Sequence, residues 1–440
     1  MTRLTVFGTG YLGATHAACL AACGHEVVGV DTNRERVARL SDGHAPFHEP
    51  RLDAVLAEGL ASGRLTFTTE VALAADAAVH FLCVGTPQQA GGYAADLTAL
   101  WSATRSLARH LHRPCLVVGK STVPVGTAAK VRDLLRAEAP AGDQVQTAWN
   151  PEFLREGHAV DDSLHPDRLV FGVESDEANQ VLREVYAPVI DAGVPVVRTD
   201  LATAELAKVS ANVMLAARVS LVNLLAEVCE AADADVGDLT EVLGLDRRIG
   251  SEFLSPGIGY GGGCLPKDTR AFMARAAELG VAESSALLRE VDATNMRQRA
   301  RTVDLAARML GGVVLGARVA VLGAAFKADS DDVRDSPALD IATTLSGRGA
   351  NVRVYDPRAA ENVRRTRPHL ATAASVEEAV TDADLVLVLT DWSEFSSLDP
   401  VGLADLVSAP RVLDGRLVLD PVKWRAAGWT FHALGRGGGR

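Results

Sequence analysis

The stretch Gly261-Gly262-Gly263-Cys264-Leu265-Pro266-Lys267-Asp268 places a thiol, a cation and a carboxylate within five positions, directly after three glycines. A thiolate is a strong nucleophile where neighbouring positive charge lowers its pKa. Glycines allow close approach of backbone to a ligand and φ angles closed to other residues. Taken alone, the same string also reads as a glycine turn with an incidental cysteine. Lys208 and Asn212 are four apart in a segment, 201–233, that has neither proline nor glycine. On a helix they share one face. A cation and an amide so placed can hold an oxyanion or orient a water; a surface lysine beside a helix asparagine is the plainer alternative. Glu152 and Glu156 are also four apart, after Pro151. If that segment is helical they share a face, and one could orient a water or act as general base. A solvated helix start explains Glu156 equally well.

These groups need elements to position them. Leu4-Thr5-Val6-Phe7 reads as a strand, Gly8-Thr9-Gly10-Tyr11-Leu12-Gly13 as a turn, and 14–22 as a helix. Glu26–Val30 is the next strand and ends at Asp31. This is G-x-G-x-x-G between strand and helix, with an acidic residue about 20 positions on. The helix start suits a pyrophosphate. Asp31 suits a ribose diol and repels a 2′-phosphate, so NAD is expected over NADP. Apolar runs at 79–84, 115–118 and 168–171 continue a parallel sheet covered on both faces. The loops Gly85-Thr86-Pro87 and 120–127 follow two of them, where ligands bind in such sheets. An apolar stripe of Leu206, Val209, Val213, Ala217, Leu221, Leu224 and Val228 predicts one long central helix, with a face for a second copy. The segment 244–263 is rich in glycine and carries Arg247, Arg248, Phe253 and Tyr260, which suit an anion and a base or sugar. A second α/β unit begins at 318–323, without a second fingerprint, and continues through 351–356 and 384–389. Lys327 and Arg334 lie beyond its first strand. Residues 435–440 read as a flexible tail.

Composition sets the outer limits. The chain has 440 residues, 48% hydrophobic and 23% charged, normal for about three globular domains. A net charge of −12 does not attract nucleic acid or an anionic membrane, so neither is expected as a partner. No 18-residue apolar run is free of charge and no signal peptide opens the chain, so a cytoplasmic location is expected. The six cysteines form no C-x-x-C pair, and no metal is expected. An NAD site, a loop thiol and a Lys/Asn pair together suggest a dehydrogenase with a covalent step, passing from a thiohemiacetal to a thioester and then to hydrolysis.

The order of motifs resembles the UDP-glucose/GDP-mannose dehydrogenase family across nearly the whole chain. The matching pieces are 8–13, 85–87, 121–127, 150–157, 166–172, 205–212, 248–250, 257–268, 326–337 and Asp414-Gly415-Arg416. The resemblance implies an α/β fold of two Rossmann-like, doubly wound parallel-sheet domains joined by a long central helix. It divides the chain into an NAD-binding domain at 1–200, a central dimerisation region at 201–300 and a nucleotide-sugar domain at 301–440. It implies two successive NAD-dependent oxidations at C6 of a nucleotide sugar, with UDP-glucose favoured. The alternatives are dTDP-glucose, GDP-mannose or a UDP-N-acetylhexosamine as substrate, a simple two-electron dehydrogenase, and a non-catalytic NAD- and nucleotide-binding regulator.

On that resemblance Cys264 is the nucleophile, Lys208 stabilises the oxyanion and Asn212 binds the C6 oxygen or a water. Asp268 orders the lysine and water, and Thr122 and Glu152 lie near the hydrolytic water. Cofactor contacts fall to Gly8, Gly10, Tyr11, Leu12, Gly13, Asp31, Arg36, Gly85, Thr86, Thr122 and Arg334. Substrate contacts fall to Glu152, Phe153, Leu154, Lys208, Asn212, Phe253, Tyr260, Gly261 and Lys327, with Arg248 reaching the site of a partner in a homodimer. Two positions depart from the family pattern: Gly263 stands where serine is usual, and Tyr260 where phenylalanine is usual.

Overall fold

Eight strands order the N-terminal half: β1 (Arg3–Phe7), β2 (Glu26–Val30), β3 (Leu65–Thr68), β4 (Val79–Leu82), β5 (Cys115–Gly119), β6 (Val145–Trp149), β7 (Leu169–Val173) and β8 (Val196–Thr199). They form one sheet in the order β3-β2-β1-β4-β5-β6-β7-β8. The computed structural model describes residues 2–437. Alternate residues feed the two faces. Leu4, Val6, Phe81 and Val118 enter one core, while Phe7, Leu82, Val117 and Trp149 enter the other. Each such fully buried side chain contributes roughly 1.5–3 kcal/mol. Two cross-strand pairs match a glycine to a large ring. Gly29 lies opposite Phe67 and Gly119 opposite Trp149, and a Cβ on Gly119 would sit 2.1 Å from the indole.

The expected doubly wound parallel sheet is present, with one departure. β7 runs antiparallel to β6, pairing Trp149 with Gly172, and β8 then runs parallel to β7. The run at 168–171 therefore does not extend the parallel set. The sequence pattern also passes over β3, β6 and β8, which are short or interrupted by polar residues.

The second sheet holds β9 (Arg318–Leu322), β10 (Asn351–Tyr355), β11 (Ala371–Thr372), β12 (Leu385–Val388), β13 (Arg411–Asp414) and β14 (Thr430–Ala433), in the order β11-β10-β9-β12-β13-β14. All its pairs are parallel. Asp356, just past β10, stands where Asp31 stands past β2. Its carboxylate accepts from the N–H groups of Ala324, Ala325, Arg358 and Ala359 and from Trp392 Nε1. Five protein donors thus occupy the group that a second dinucleotide ribose would need. The chain divides into two compact units, residues 1–211 with 270–280 and residues 212–269 with 281–440.

The central helix spans Leu201–Ala231, and most of the apolar stripe faces outward. Of the apolar stripe, Val209 is buried, Val213 and Ala217 are half-buried, and Leu206, Leu221, Leu224 and Val228 are exposed. The buried side carries Glu205, Lys208, Asn212, Ser220 and Asn223. Each of these has a partner in the chain. Ser220 Oγ donates to the Val291 carbonyl at 2.9 Å, and Asn223 Oδ1 accepts from Gly257 N at 2.8 Å. By length and composition this helix could cross a membrane. Its inward side, where Glu205, Lys208 and Asn212 are partnered by protein and Leu201, Ala204, Ala216, Val222 and Ala226 are buried, makes it a core helix instead. The tail expectation is corrected for 435–437: Gly435 N donates to Glu230, Gly437 N to the Ala234 carbonyl, and Arg436 pairs with Asp235. Residues 438–440 lie outside the described residues.

Glu205 caps the helix Thr127–Glu138, accepting from Gly126 N at 2.7 Å and Ala128 N at 2.6 Å. Burial pushes its carboxyl up from 4.5 to about 7, and the N–H donors pull it back only in part. A carboxyl raised on folding contributes stability that is complete below its unfolded value and is lost as pH rises through the folded one. The Tm of the wild type relative to Glu205→Gln is therefore expected to fall between about pH 5 and about pH 8. The change is at most about 3 kcal/mol, at about 1.4 kcal/mol per pKa unit. Thermal melts of both proteins across that range check it.

Candidate active site

The fingerprint turn assigns a separate job to each glycine. Gly8 has φ +85°, and a Cβ there would meet Val84 at 2.8 Å. A Cβ on Gly13 would lie 1.8 Å from the Gly8 carbonyl, so helix and strand pack only through a glycine. Gly10 has nothing within 4 Å, which leaves its surface to a ligand. The helix Tyr11–Ala22 has no side-chain cap, so its first N–H groups remain available to an anion. Past β2, Asp31 accepts from Thr9 N at 2.8 Å, Asn33 N at 2.9 Å and Arg36 Nη1 at 2.8 Å. Burial pushes its carboxyl up, but these donors outweigh it and hold Asp31 below the usual carboxylate range. An open glycine, an uncapped helix start and an ionised acid at the strand end together fit a dinucleotide. The loops after β4 and β5 are joined by Thr86 Oγ1 to the Thr122 carbonyl at 2.7 Å and Ser121 Oγ to the Val84 carbonyl at 2.6 Å. Gly85 between them has open space.

The segment after β6 is not helical, which corrects the expectation for Glu152 and Glu156. Residues 151–155 are irregular, and the helix begins at Ala159. Side chains take the N–H groups a helix would use: Glu152 accepts from Leu154 N at 2.6 Å, and Asp162 from Arg155 N at 2.8 Å. Gly157 has φ +84°. The two glutamates consequently share no helix face. Glu152 instead pairs with Lys208 Nζ at 3.0 Å, with side chains only 12% and 6% exposed. The Phe153 ring lies under Arg168, 3.8 Å from centroid to guanidinium, with Lys208 Nζ at 5.7 Å. Buried Glu49 holds the far end of the segment through Gly157 N and Ala159 N, both at 2.7 Å, and also accepts the Tyr11 hydroxyl. One carboxylate thereby ties the fingerprint helix to the segment carrying Glu152.

In the second unit the glycine–cysteine loop ends on a helix. The Cys264 carbonyl accepts from Asp268 N at 2.9 Å, which makes Cys264 the N-cap of Leu265–Glu278. Cys264 is exposed. Its thiol sits at the positive end of a helix dipole, which favours a thiolate. Asp268 is buried and accepts from Asn212 Nδ2 at 2.6 Å and from Lys267 Nζ at 2.5 Å. A turn of one helix therefore separates Lys208, paired to Glu152, from Asn212, bonded to Asp268. The glycines are packing positions. Added Cβ atoms would meet the Asp335 carbonyl at 2.3 Å from Gly261, the Phe326 ring at 2.8 Å from Gly262 and the Arg334 guanidinium at 2.4 Å from Gly263. Gly263 thus leaves room for Arg334, which Asp332 holds through both carboxylate oxygens.

The other expected residues fall as follows. Lys327 Nζ lies 5.8 Å from the Phe326 ring centroid, beside the same loop. Tyr260 is buried against Ala216 and Val291. Phe253 is partly exposed at φ +58°. Arg248 is 88% exposed and paired with Asp246 at 2.6 Å. Sequence reasoning passed over Asn295 and Arg299 on the helix Ala286–Met309. Asn295 Oδ1 accepts from Tyr260 N at 2.7 Å, and Arg299 Nη2 donates to the Tyr260 carbonyl at 3.0 Å. Their only signal is a row of polar residues, Asp292, Asn295 and Arg299, at helical spacing.

Three models of one family match the chain: the NAD binding domain of the UDP-glucose/GDP-mannose dehydrogenase family over residues 2–190, its central domain over 202–297 and its UDP binding domain over 320–421. The chain is 39% identical over 441 residues to the UDP-glucose 6-dehydrogenase of Rhizobium meliloti (strain 1021), covering 99% of both. It is 43% identical to that of Haloferax volcanii, covering 98% of this chain and all of the relative. Among solved structures, the UDP-glucose dehydrogenase of Pyrobaculum islandicum superposes with a TM-score of 0.92 at 35% identity, covering 99% of this chain and 98% of that one.

The turn geometry separates cofactor binding from folding. Gly10→Ala is expected to leave Tm within a few degrees of wild type while weakening NAD binding at least tenfold. Gly13→Ala is expected to lower Tm sharply, since its Cβ meets the Gly8 carbonyl. Calorimetric melts and NAD titrations of the two variants check both.

Proposed function

The chain belongs to the UDP-glucose/GDP-mannose dehydrogenase family, and we propose that it oxidises UDP-glucose at C6 to the uronate through a covalent bond to Cys264. The observation that carries this reading is Cys264 as the N-cap of a helix whose first turn holds buried Asp268, bonded to Asn212. The fingerprint turn and Asp31 hold NAD, with Gly85, Thr86 and Thr122 beside it and Arg334 as a further contact. NAD, when bound, takes up one hydride at each oxidation, two per sugar nucleotide. The chain's own residues do the rest. Lys208 holds its ammonium against negative charge developing on O6, and Asn212 fixes that oxygen or a water. At the aldehyde level the Cys264 sulfur bonds to C6 and the carbonyl oxygen takes a proton, giving a thiohemiacetal. At the thioester level a water held by Thr122 and Glu152 adds to C6, the C–S bond breaks, and Cys264 leaves as thiolate. Asp268 orders the polar groups around that water. Phe153, Leu154, Phe253, Tyr260, Gly261 and Lys327 contact the nucleotide sugar.

We further infer three functional divisions, NAD binding at 1–200, a central region at 201–300 and nucleotide-sugar binding at 301–440. A cytoplasmic setting fits six cysteines that are all free. A homodimer fits the exposed stripe on the central helix, where Met214 is 70% and Leu221 57% exposed. Exposed Arg248 is the residue that would reach the partner's site.

Wild type is expected to yield two NADH per UDP-glucose consumed, and dTDP-glucose and GDP-mannose to be turned over more slowly. Cys264→Ser is expected to form no uronate at the wild-type rate, and Lys208→Met to lose on the order of 10²-fold in kcat, the scale of one oxyanion contact. NADH absorbance with chromatography of the sugar product reads both; uronate from Cys264→Ser at the wild-type rate would sink the covalent step. Light scattering is expected to give twice 46.3 kDa for the wild type, and the monomer mass for Leu221→Arg.

A further inference from the structure

Only six of the 44 basic residues in this chain are lysine. In a chain so weighted to arginine, a buried position that keeps lysine points to a compact charge able to give up its proton. Two lysines are buried, Lys208 and Lys120, and the reaction above uses only Lys208. Lys120 follows β5. Its Nζ donates to Asn150 Oδ1 at 2.9 Å, to Tyr186 Oη at 3.3 Å and, at the limit, to the Asn150 carbonyl at 3.5 Å. The Tyr186 hydroxyl donates to the same Asn150 Oδ1 at 2.6 Å, and Asn150 Nδ2 donates to the Val170 carbonyl at 3.0 Å. All these partners are neutral, and among the described residues Lys120 makes no ion pair. An unpaired buried ammonium is costly, and this one grips the residue that opens the 150–157 segment.

We propose that Lys120 is a positioning residue for the reaction: through Asn150 it places Glu152, the partner of Lys208, and its buried charge acts on Lys208. The titratable groups that face Lys120 come from several elements: the Cys83 thiol after β4, Glu152 after β6, Lys208 on the central helix, His16 on the fingerprint helix and Tyr186. Burial lowers Lys120 to about 8; Cys83 and Glu152 oppose that shift and Lys208 adds to it. Burial raises the Cys83 thiol to about 12 and keeps His16 neutral, so both stand as uncharged neighbours near neutral pH. The repulsion between the two ammonium groups is mutual, so Lys208 feels the Lys120 charge as well.

The proposal rests on the assignment of Lys208 above, so its main test needs no substrate. With six lysines, side-chain ¹³C-lysine NMR of the full chain gives separable resonances, and Lys208→Met identifies Lys208. In Lys120→Met the Lys208 midpoint is expected to rise by about one pH unit, and Lys120→Arg, which keeps the charge, is expected to return it. In turnover, Lys120→Met is expected to lower kcat at least tenfold with KM for NAD within about twofold, and to displace the basic limb of the kcat–pH profile. A Lys208 midpoint unmoved in a folded Lys120→Met overturns the proposal. If UDP-glucose is not the substrate, the turnover arm fails while the NMR shift persists. Should Lys120→Met not fold, Tyr186→Phe removes one acceptor and keeps the charge. The Lys120 midpoint is then expected to fall, and an unchanged value would again overturn the assignment.

Discussion

One buried guanidinium sets the place of the reactive loop. Arg299 donates through Nη1 to Asp335 at 2.6 Å and to Asp340, and through Nη2 to the Tyr260 carbonyl. It thereby fastens the start of the glycine–cysteine loop and the loop ahead of the helix Pro337–Gly347 to one side of Ala286–Met309. The two carboxylates offset the cost of burying this guanidinium. The planar fork of arginine can serve carboxylate and carbonyl oxygens at once, where an ammonium would not match the geometry. Asn295, one turn earlier, adds both an acceptor and a donor to the backbone of Tyr260. The position of Cys264 is inherited from this clamp, because each residue between Tyr260 and Cys264 is a glycine with no side chain to anchor it.

That clamp also explains what the glycines do. In the sequence, three glycines before a cysteine suggest approach to a ligand. In the structure they suit approach to protein, since Asp335, Phe326 and Arg334 crowd the three α-carbons in turn. The fingerprint turn has the mixed case, with Gly8 and Gly13 closed by protein and Gly10 open. Spacing alone cannot separate the two uses, because a missing Cβ serves both equally.

Much of the architecture follows from local pattern. β1, β2, β4, β5, β9, β10 and β12 are short apolar runs, and their strand order follows from right-handed crossovers. Cys264, Lys208 and Asp31 stand out by residue type and spacing. What escapes notice is polar chemistry turned inward. Glu49, Lys120, Asn150, Glu205, Asn223, Asn295 and Arg299 are buried and look, in a string, like surface residues. Their partners are distant in sequence, 110 positions for Glu49 with Ala159 N and 77 for Glu205 with Ala128 N. The antiparallel β7 escaped for a related reason: an apolar run reads the same in either direction.

The central helix shows what an inward polar face entails. Glu205 and Lys208 are satisfied within one compact unit, and Ser220, Asn223 and Asn212 within the other. Between those polar groups the same side buries Leu201 and Ala204 in the first half and Ala216, Val222, Ala226 and Cys229 in the second. Each half of the helix is therefore held by its own unit, through polar and apolar contacts together.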